Sequence, residues 1–269
     1  MLKPRKKKKS LRDRMVKAAK ERKARRPSFG MQSPSELYEE ALAAWRAGDR
    51  HAALDALERL HAEFPGRRDV LTALSRFTHE LKQHDKEVEY CQKLVKLAPE
   101  SPEAWYYLGT AHAENKQPAL ARRAFQHAVK HWPDHEYAEG GRQDIRILEA
   151  LIVDDVRHYL TEPADHRQWF ALAEAHEQLT IDLHAGRFEK VVETATQLLA
   201  RWPRFVPARN NAAEAYCGLG QLERSIEVGQ ETLQLFPDNL YALGSLMRYL
   251  TLDGRVDEAR RLAESLSGM

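Results

Sequence analysis

The residues best suited to chemistry are His176 and Glu177, in "HEQLT", and the histidines His127, His131 and His135. A zinc-hydrolase helix carries two histidines one turn apart with a glutamate beside the first, because both imidazoles must reach one ion while the carboxylate takes a proton from its water. Here the place of the second histidine is taken by Thr180, so that arrangement is incomplete. His127 and His131 are four residues apart and share a helical face, a spacing that suits a divalent metal. Pro133 ends the helix before His135 can join them, and no cysteine is near, so they read as polar residues of a helix surface. Cys91 and Cys217 stand alone in apolar helical settings with no positioned base, and read as small packing residues. Gly218 and Gly220, in "CGLGQL", follow a helix rather than a strand, which makes an interhelix turn and not a dinucleotide loop. No catalytic residue, cofactor site or metal site is assigned, and the chain is expected not to be an enzyme.

The elements that hold these residues are legible from punctuation. Pro65, Pro99, Pro133, Pro203 and Pro237 each close a helical-looking run, and their spacings are 34, 34, 70 and 34 residues. A second marker gives the same step: Gly48, Gly186, Gly220 and Gly254 are separated by 138, 34 and 34 residues. Tight turns between antiparallel helices favour glycine, which reaches positive φ at little cost. At the intermediate positions stand Lys82 and Lys116, both in polar, turn-forming stretches. Each 34-residue unit therefore predicts helix, short turn, helix, proline stop. Within the units apolar residues recur at spacings of three and four, as in Leu71, Leu74 and Thr78 or Cys91, Leu94 and Leu97.

The sharpest unit is "PEAWYYLGTAHAENKQPALARRAFQHAVKHWPDH", residues 102 to 135. It resembles the tetratricopeptide repeat: Trp105, Leu108, Gly109, Ala121, Phe125, Ala128 and Pro133 match seven of that family's eight signature positions, with His112 where an aromatic is usual. Gly109 and Ala121 let two helices approach while Trp105 and Phe125 fill the space beside them. Other units match less fully, keeping Ala53 and Pro65, Leu71, Leu74 and Pro99, Phe188 and Pro203, Tyr216, Gly220 and Pro237, and Ala259. The resemblance covers roughly residues 34 to 269. It implies an all-α fold, a right-handed α-solenoid of antiparallel helix pairs with about six repeats.

Both marker series slip by two residues between Pro133 and Gly186. The stretch 136 to 163 has no internal turn after Gly141 and carries an apolar line at Ile145, Leu148, Ile152, Val156 and Tyr159, which predicts one long helix. The expected organisation is a basic tail over 1–33, three repeats over 34–135, a long linking helix over 136–163 and three repeats over 164–269. The last unit ends without a polar closing helix, which leaves self-association through the terminal repeat open.

A curved repeat array lines its groove with first helices, and the family resemblance makes that groove the expected site for a peptide or partner helix. From the register, the groove residues are Tyr38, Arg76, His79, Tyr106, Tyr107, Thr110, His176, Asn210, Asn211, Glu214 and Arg248. Asparagine can donate to and accept from a peptide bond together, and tyrosine offers wide contact at low entropy cost. Some relatives hold acidic chaperone tails through a carboxylate clamp of Lys, Asn and Arg on successive first helices. Arg76, Asn210 and Arg248 lie on non-adjacent units, so no complete clamp is formed.

Charge divides the chain sharply. Residues 1–30 carry 14 Lys and Arg against 2 Asp and Glu, which leaves 28 against 38 for residues 31–269: +12 and −10. Lys6, Lys7, Lys8, Lys9, Arg12 and Arg14 are candidates for an anionic partner, with a thin apolar line at Leu11, Met15 and Ala18. The alternative function is therefore an adaptor anchored to nucleic acid or the ribosome by this tail. Binding that neither depends on the tail nor weakens with salt would sink it. The two cysteines give no disulfide framework, and the expected compartment is reducing and cytoplasmic. No apolar run reaches the roughly 18 to 20 residues of a membrane span, and no signal-peptide core follows the basic start.

Overall fold

A computed structural model of the chain describes residues 33–157, 159 and 166–267. The basic candidates Lys6 to Arg14, and the end of the expected linking helix from residue 160 on, lie outside the described residues. Among the described residues there are thirteen helices and no strand. In order they are α1 (Pro34–Arg46), α2 (Arg50–Glu63), α3 (Arg68–Glu80), α4 (His84–Leu97), α5 (Pro102–Glu114), α6 (Pro118–His131), α7 (Ala138–Val156), α8 (His166–His184), α9 (Phe188–Arg201), α10 (Val206–Gly218), α11 (Leu222–Leu235), α12 (Leu240–Leu252) and α13 (Val256–Ser267). The all-α fold of antiparallel helix pairs expected from the repeat is the one found. It divides into two compact units, one ending at Phe77 and the other beginning at Thr78.

In the first unit Ser33 opens α1 with a reciprocal cap: its hydroxyl accepts from the Glu36 N–H at 3.2 Å, and Glu36 Oε2 accepts from the Ser33 N–H at 2.6 Å. Two backbone N–H groups at the start of the helix are thereby satisfied by local sequence alone. α1 packs on α2, and the Trp45 ring stacks on Phe77 with centroids 3.5 Å apart. Leu57, Leu71 and Leu74, each no more than 1% exposed, complete this core.

In the second unit, the close approach inferred for Gly109 is real. A Cβ placed there would lie 2.5 Å from the Phe125 ring, so only hydrogen fits between α5 and α6. The interhelix turns fall where the 34-residue step puts them. Gly186, Gly220 and Gly254 have φ of +70°, +73° and +81°, and Lys116 and Lys82 take the same left-handed backbone at +57° and +56°. For a lysine this conformation costs roughly 1 kcal/mol, which the packed helices on either side supply. His112, in the aromatic position of the repeat, is buried; its Nδ1 lies 2.7 Å from Gln117 Oε1, and burial lowers its pKa.

The register slip is accommodated by two 19-residue helices. α7 packs on α6 and on α8, while α8 also reaches α6, α9 and α10. Between them Leu148, Ile152, Val156, Leu172 and Leu179 are buried. From α8, Glu177 crosses to the start of α6, where Oε1 accepts from the Ala119 N–H and Oε2 from the Leu120 N–H, each at 2.8 Å. α6 has no cap from its own sequence, since Gln117 makes no side-chain cap bond. A carboxylate at a helix start meets both free N–H groups and the positive end of the dipole. Burial nevertheless pushes the Glu177 pKa up to about 7. The glutamate that resembled a hydrolase base is thus a helix cap delivered from 57 residues away.

Candidate functional site

Three of the groove residues come together in the second unit. α10 packs against both α8 and α12, so these three first helices lie side by side. Between them opens a cleft of about 770 Å³. His176, Thr180 and Leu183 enter it from α8, Val206, Asn210 and Asn211 from α10, and Asn239 and Tyr241 from the start of α12. The segment linking α11 to α12 contributes Phe236, Pro237 and Asp238.

Local sequence sets each of these walls. The N–H of Trp202 donates to Leu198 O at 2.7 Å and ends α9, Pro203 prevents continuation, and Pro207 sits at the N-terminal turn of α10 where its missing N–H costs nothing. This brings Phe205, 2% exposed, beneath the cleft, where Tyr159 and His176 meet its ring edge-on at 5.7 and 5.4 Å. At the far wall Phe236 closes α11, and Asn239 caps α12 by accepting the Ala242 N–H at 3.1 Å. Tyr241 is left 56% exposed on the rim.

The polar groups divide by whether they already have a partner. Asn211 Nδ2 donates to Thr180 Oγ1 at 3.2 Å, and Thr180 in turn donates to His176 O at 3.1 Å, a chain that ties α10 to α8. Asn210 is half-buried and faces the cleft, and its side-chain amide has no hydrogen bond to any described residue. Burial lowers the His176 pKa, with Asp155 opposing, so its imidazole is neutral at neutral pH. Burial also raises the Tyr159 pKa, Asp155 adding to it. Chemically the site is a mostly apolar trough with neutral donors and acceptors and the carboxylate of Asp238, of a size that suits ligands or peptide side chains.

The remaining groove residues are held elsewhere. Tyr106 and Tyr107 on α5 are half-buried under Tyr137, whose ring stacks on Tyr106 at 4.8 Å and tilts over Tyr107 at 6.3 Å. A hydrogen bond with Tyr107 pushes the Tyr137 pKa up to about 12. Burial raises the Tyr106 pKa, followed by its interaction with Asp144, which it also hydrogen-bonds. Thr110 donates to Tyr106 O at 3.2 Å. Arg248 pairs with Glu214, which also accepts from Tyr249 Oη at 2.9 Å, and its other nitrogen is 3.9 Å from Cys217 Sγ. His79 Nδ1 lies 3.1 Å from Glu87 Oε1, while His84 takes the other oxygen at 3.3 Å. In the first unit Tyr38 Oη donates to Asp69 O at 3.4 Å, and the exposed Arg76 lies 5.3 Å from the Phe77 ring centre.

Several cleft residues escaped the register argument. Phe236 and Asp238 come from the joint between repeats and Tyr241 from the first turn of α12, and counting positions along the middle of first helices passes over both. The proline stop "LFPDN" was the signal for them, since it fixes where the next first helix begins. Among the described residues no group of three His, Cys, Asp or Glu is placed to hold a metal ion. No helix there is long and apolar enough to cross a membrane.

The tetratricopeptide repeat family model matches residues 38–102, 92–136 and 180–239, more than half of the chain. No curated protein matches in sequence. Among solved structures the chain is similar to a tetratricopeptide repeat protein from Parabacteroides merdae, with 13% identity over 96% of this chain and 85% of the other, at a TM-score of 0.40. It is also similar to the TPR2AB domain of yeast Sti1 solved in complex with pHSP90, with 12% identity, 86% and 88% coverage and a TM-score of 0.38. PilW, a type IV pilus biogenesis factor, matches at 15% identity over 89% and 94% of the two chains, with a TM-score of 0.38.

Proposed function

The chain belongs to the tetratricopeptide repeat family, and from that premise we propose that it is a non-catalytic scaffold that binds a protein partner in the cleft between α8, α10 and α12. The observation that carries this reading is the half-buried Asn210 amide, facing a cleft of about 770 Å³ without a partner of its own. An amide left half-desolvated loses part of its hydration in the free protein, and a bound peptide group offers it both a donor and an acceptor. Apolar walls at Leu183, Val206 and Phe236 supply the area that such a contact needs.

Affinity capture with the full chain and with an Asn210→Ala, Tyr241→Ala double variant tests the reading. Both side chains are at the cleft surface, so the variant is expected to fold as the wild type does and to lose the captured partner at least about tenfold. A Tyr107→Ala variant is expected to retain it. If every partner survives the cleft substitutions at full yield, the cleft is not the site. Removing residues 1–30 in the same experiment separates the alternative, in which the basic tail anchors the protein to nucleic acid: there, tail loss rather than the cleft variant abolishes capture, with a steep dependence on salt.

A further inference from the structure

The cleft is chemically lopsided in a way that narrows the class of partner. Among the described residues its lining includes two histidines, His176 and His184, but no lysine or arginine. Among the described residues the only carboxylate in the lining is Asp238, which is exposed and has no hydrogen bond or ion pair with any described residue. Arg204 is the guanidinium that comes up against a lining ring, and it is stacked 5.0 Å from the centre of Phe236. On the neighbouring first-helix face, Glu214 is paired with Arg248.

A carboxylate entering this space would give up water without meeting a cation among the described lining residues, and the guanidinium at its edge, Arg204, is already stacked on Phe236, so the exchange is costly for a charged group. That applies equally to an acidic side chain and to the carboxylate at a chain end. A lysine or arginine beside Asp238 has the opposite balance: its stem covers apolar surface while its charge meets an unpaired carboxylate. Asn210 suits the neutral peptide group that lies between such side chains.

We infer that the cleft takes an internal, extended segment of a protein partner that carries an apolar anchor next to a basic residue, and that it rejects acidic segments and chain-terminal carboxylates. This rests on the reading of the cleft as the partner site. The apolar anchor sits against Leu183, Val206 and Phe236, the backbone of the segment pairs with Asn210, and the cation lies beside Asp238.

The test is a display selection of random twelve-residue peptides against the full chain, in two formats: one with the peptide inside a longer displayed chain, the other with a free C-terminal carboxylate. Only clones whose binding falls at least about tenfold on the Asn210→Ala, Tyr241→Ala variant count as cleft-dependent. The expected result is cleft-dependent clones in the internal format, enriched in an aliphatic or aromatic residue beside lysine or arginine. Their synthetic, end-blocked peptides are expected to lose about tenfold in affinity on Asp238→Lys, a surface change that leaves the thermal midpoint unmoved. Enriched sequences matching residues 9–20 of this chain would overturn the assignment to a separate partner, because the occupant would then be the chain's own basic tail. Cleft-dependent clones that are acidic, or that bind only through a free carboxylate, would overturn this inference while the proposed function stands. The absence of cleft-dependent clones in both formats would overturn both.

Discussion

Two faces of this molecule are built to one pattern and end differently. Tyr106 and Tyr107 on α5 are 104 residues before Asn210 and Asn211 on α10, which is three repeat steps plus the two-residue slip. The same offset relates Tyr137, at the start of α7, to Tyr241, at the start of α12. At the first face Tyr137 stacks on Tyr106 at 4.8 Å and the space is filled. At the second, Tyr241 is 56% exposed and borders an open cleft. An aromatic ring gives the following tyrosine a face to stack on, and an amide does not. A groove residue therefore cannot be recognised by its own register position alone; what the next helix brings over it decides whether the surface is available.

Breaking the open face from beneath has the largest expected effect. Phe205 supports the cleft through Tyr159 and His176 and is 2% exposed, so Phe205→Ala is expected to cost about 3 to 5 kcal/mol in urea unfolding. It should also abolish cleft-dependent binding, whereas Phe125→Ala, of similar cost and under the closed face, should leave binding intact in the fraction that remains folded. Equal loss of binding per folded molecule in the two variants would show that the faces are not independent.

The next effect concerns α8, which joins the two regions by capping α6 with Glu177 while it lines the cleft with His176. Burial holds the Glu177 pKa at about 7, above the ordinary carboxylate value, so folding takes up a proton there. The stability this provides is complete below the ordinary carboxylate range and is lost as pH rises through about 7. Between pH 5 and pH 8 the wild type is expected to lose about 2 kcal/mol relative to Glu177→Gln, read from paired denaturant titrations. An unchanged difference between the two proteins across that range would contradict the burial argument.

The smallest expected effects come from exchanging the residues that distinguish the faces. Asn210→Tyr should let Tyr241 stack as Tyr137 does, raising stability by about 1 kcal/mol and closing the cleft to partners. Tyr106→Asn should cost about as much and expose Tyr137, which chemical nitration of tyrosine would detect. If Asn210→Tyr leaves Tyr241 as reactive as before, the tyrosine pairing is not what separates the two faces.

Legibility in the sequence follows the range of the interaction involved. Gly48, Gly186, Gly220 and Gly254, with Lys82 and Lys116 between them, marked every turn because a tight helix-to-helix turn constrains one residue's backbone locally. His176, Asn210 and Asn211 were reached from the repeat register and do share a cleft, since the register fixes which helix face they occupy. The covering of Tyr106 by Tyr137, and the part played by Asp238, were not legible, because both depend on how one repeat meets the next. Glu177 shows the limit most clearly: beside His176 it reads as the start of a metal motif, yet its two hydrogen bonds are to residues 57 and 58 positions away.

The sequence by itself determined the all-α class, the family, the 34-residue step, the turns and the place where that step slips. These rest on backbone preferences and on apolar periodicity, which act over a few residues and are written locally. Only the tertiary structure decided which of two equivalent faces is closed by the chain's own tyrosine and which remains open, and that α6 takes its cap from α8. Both outcomes depend on side chains brought together across the long helices that absorb the two-residue slip, where packing volume and burial set the result and spacing along the chain carries no record of them.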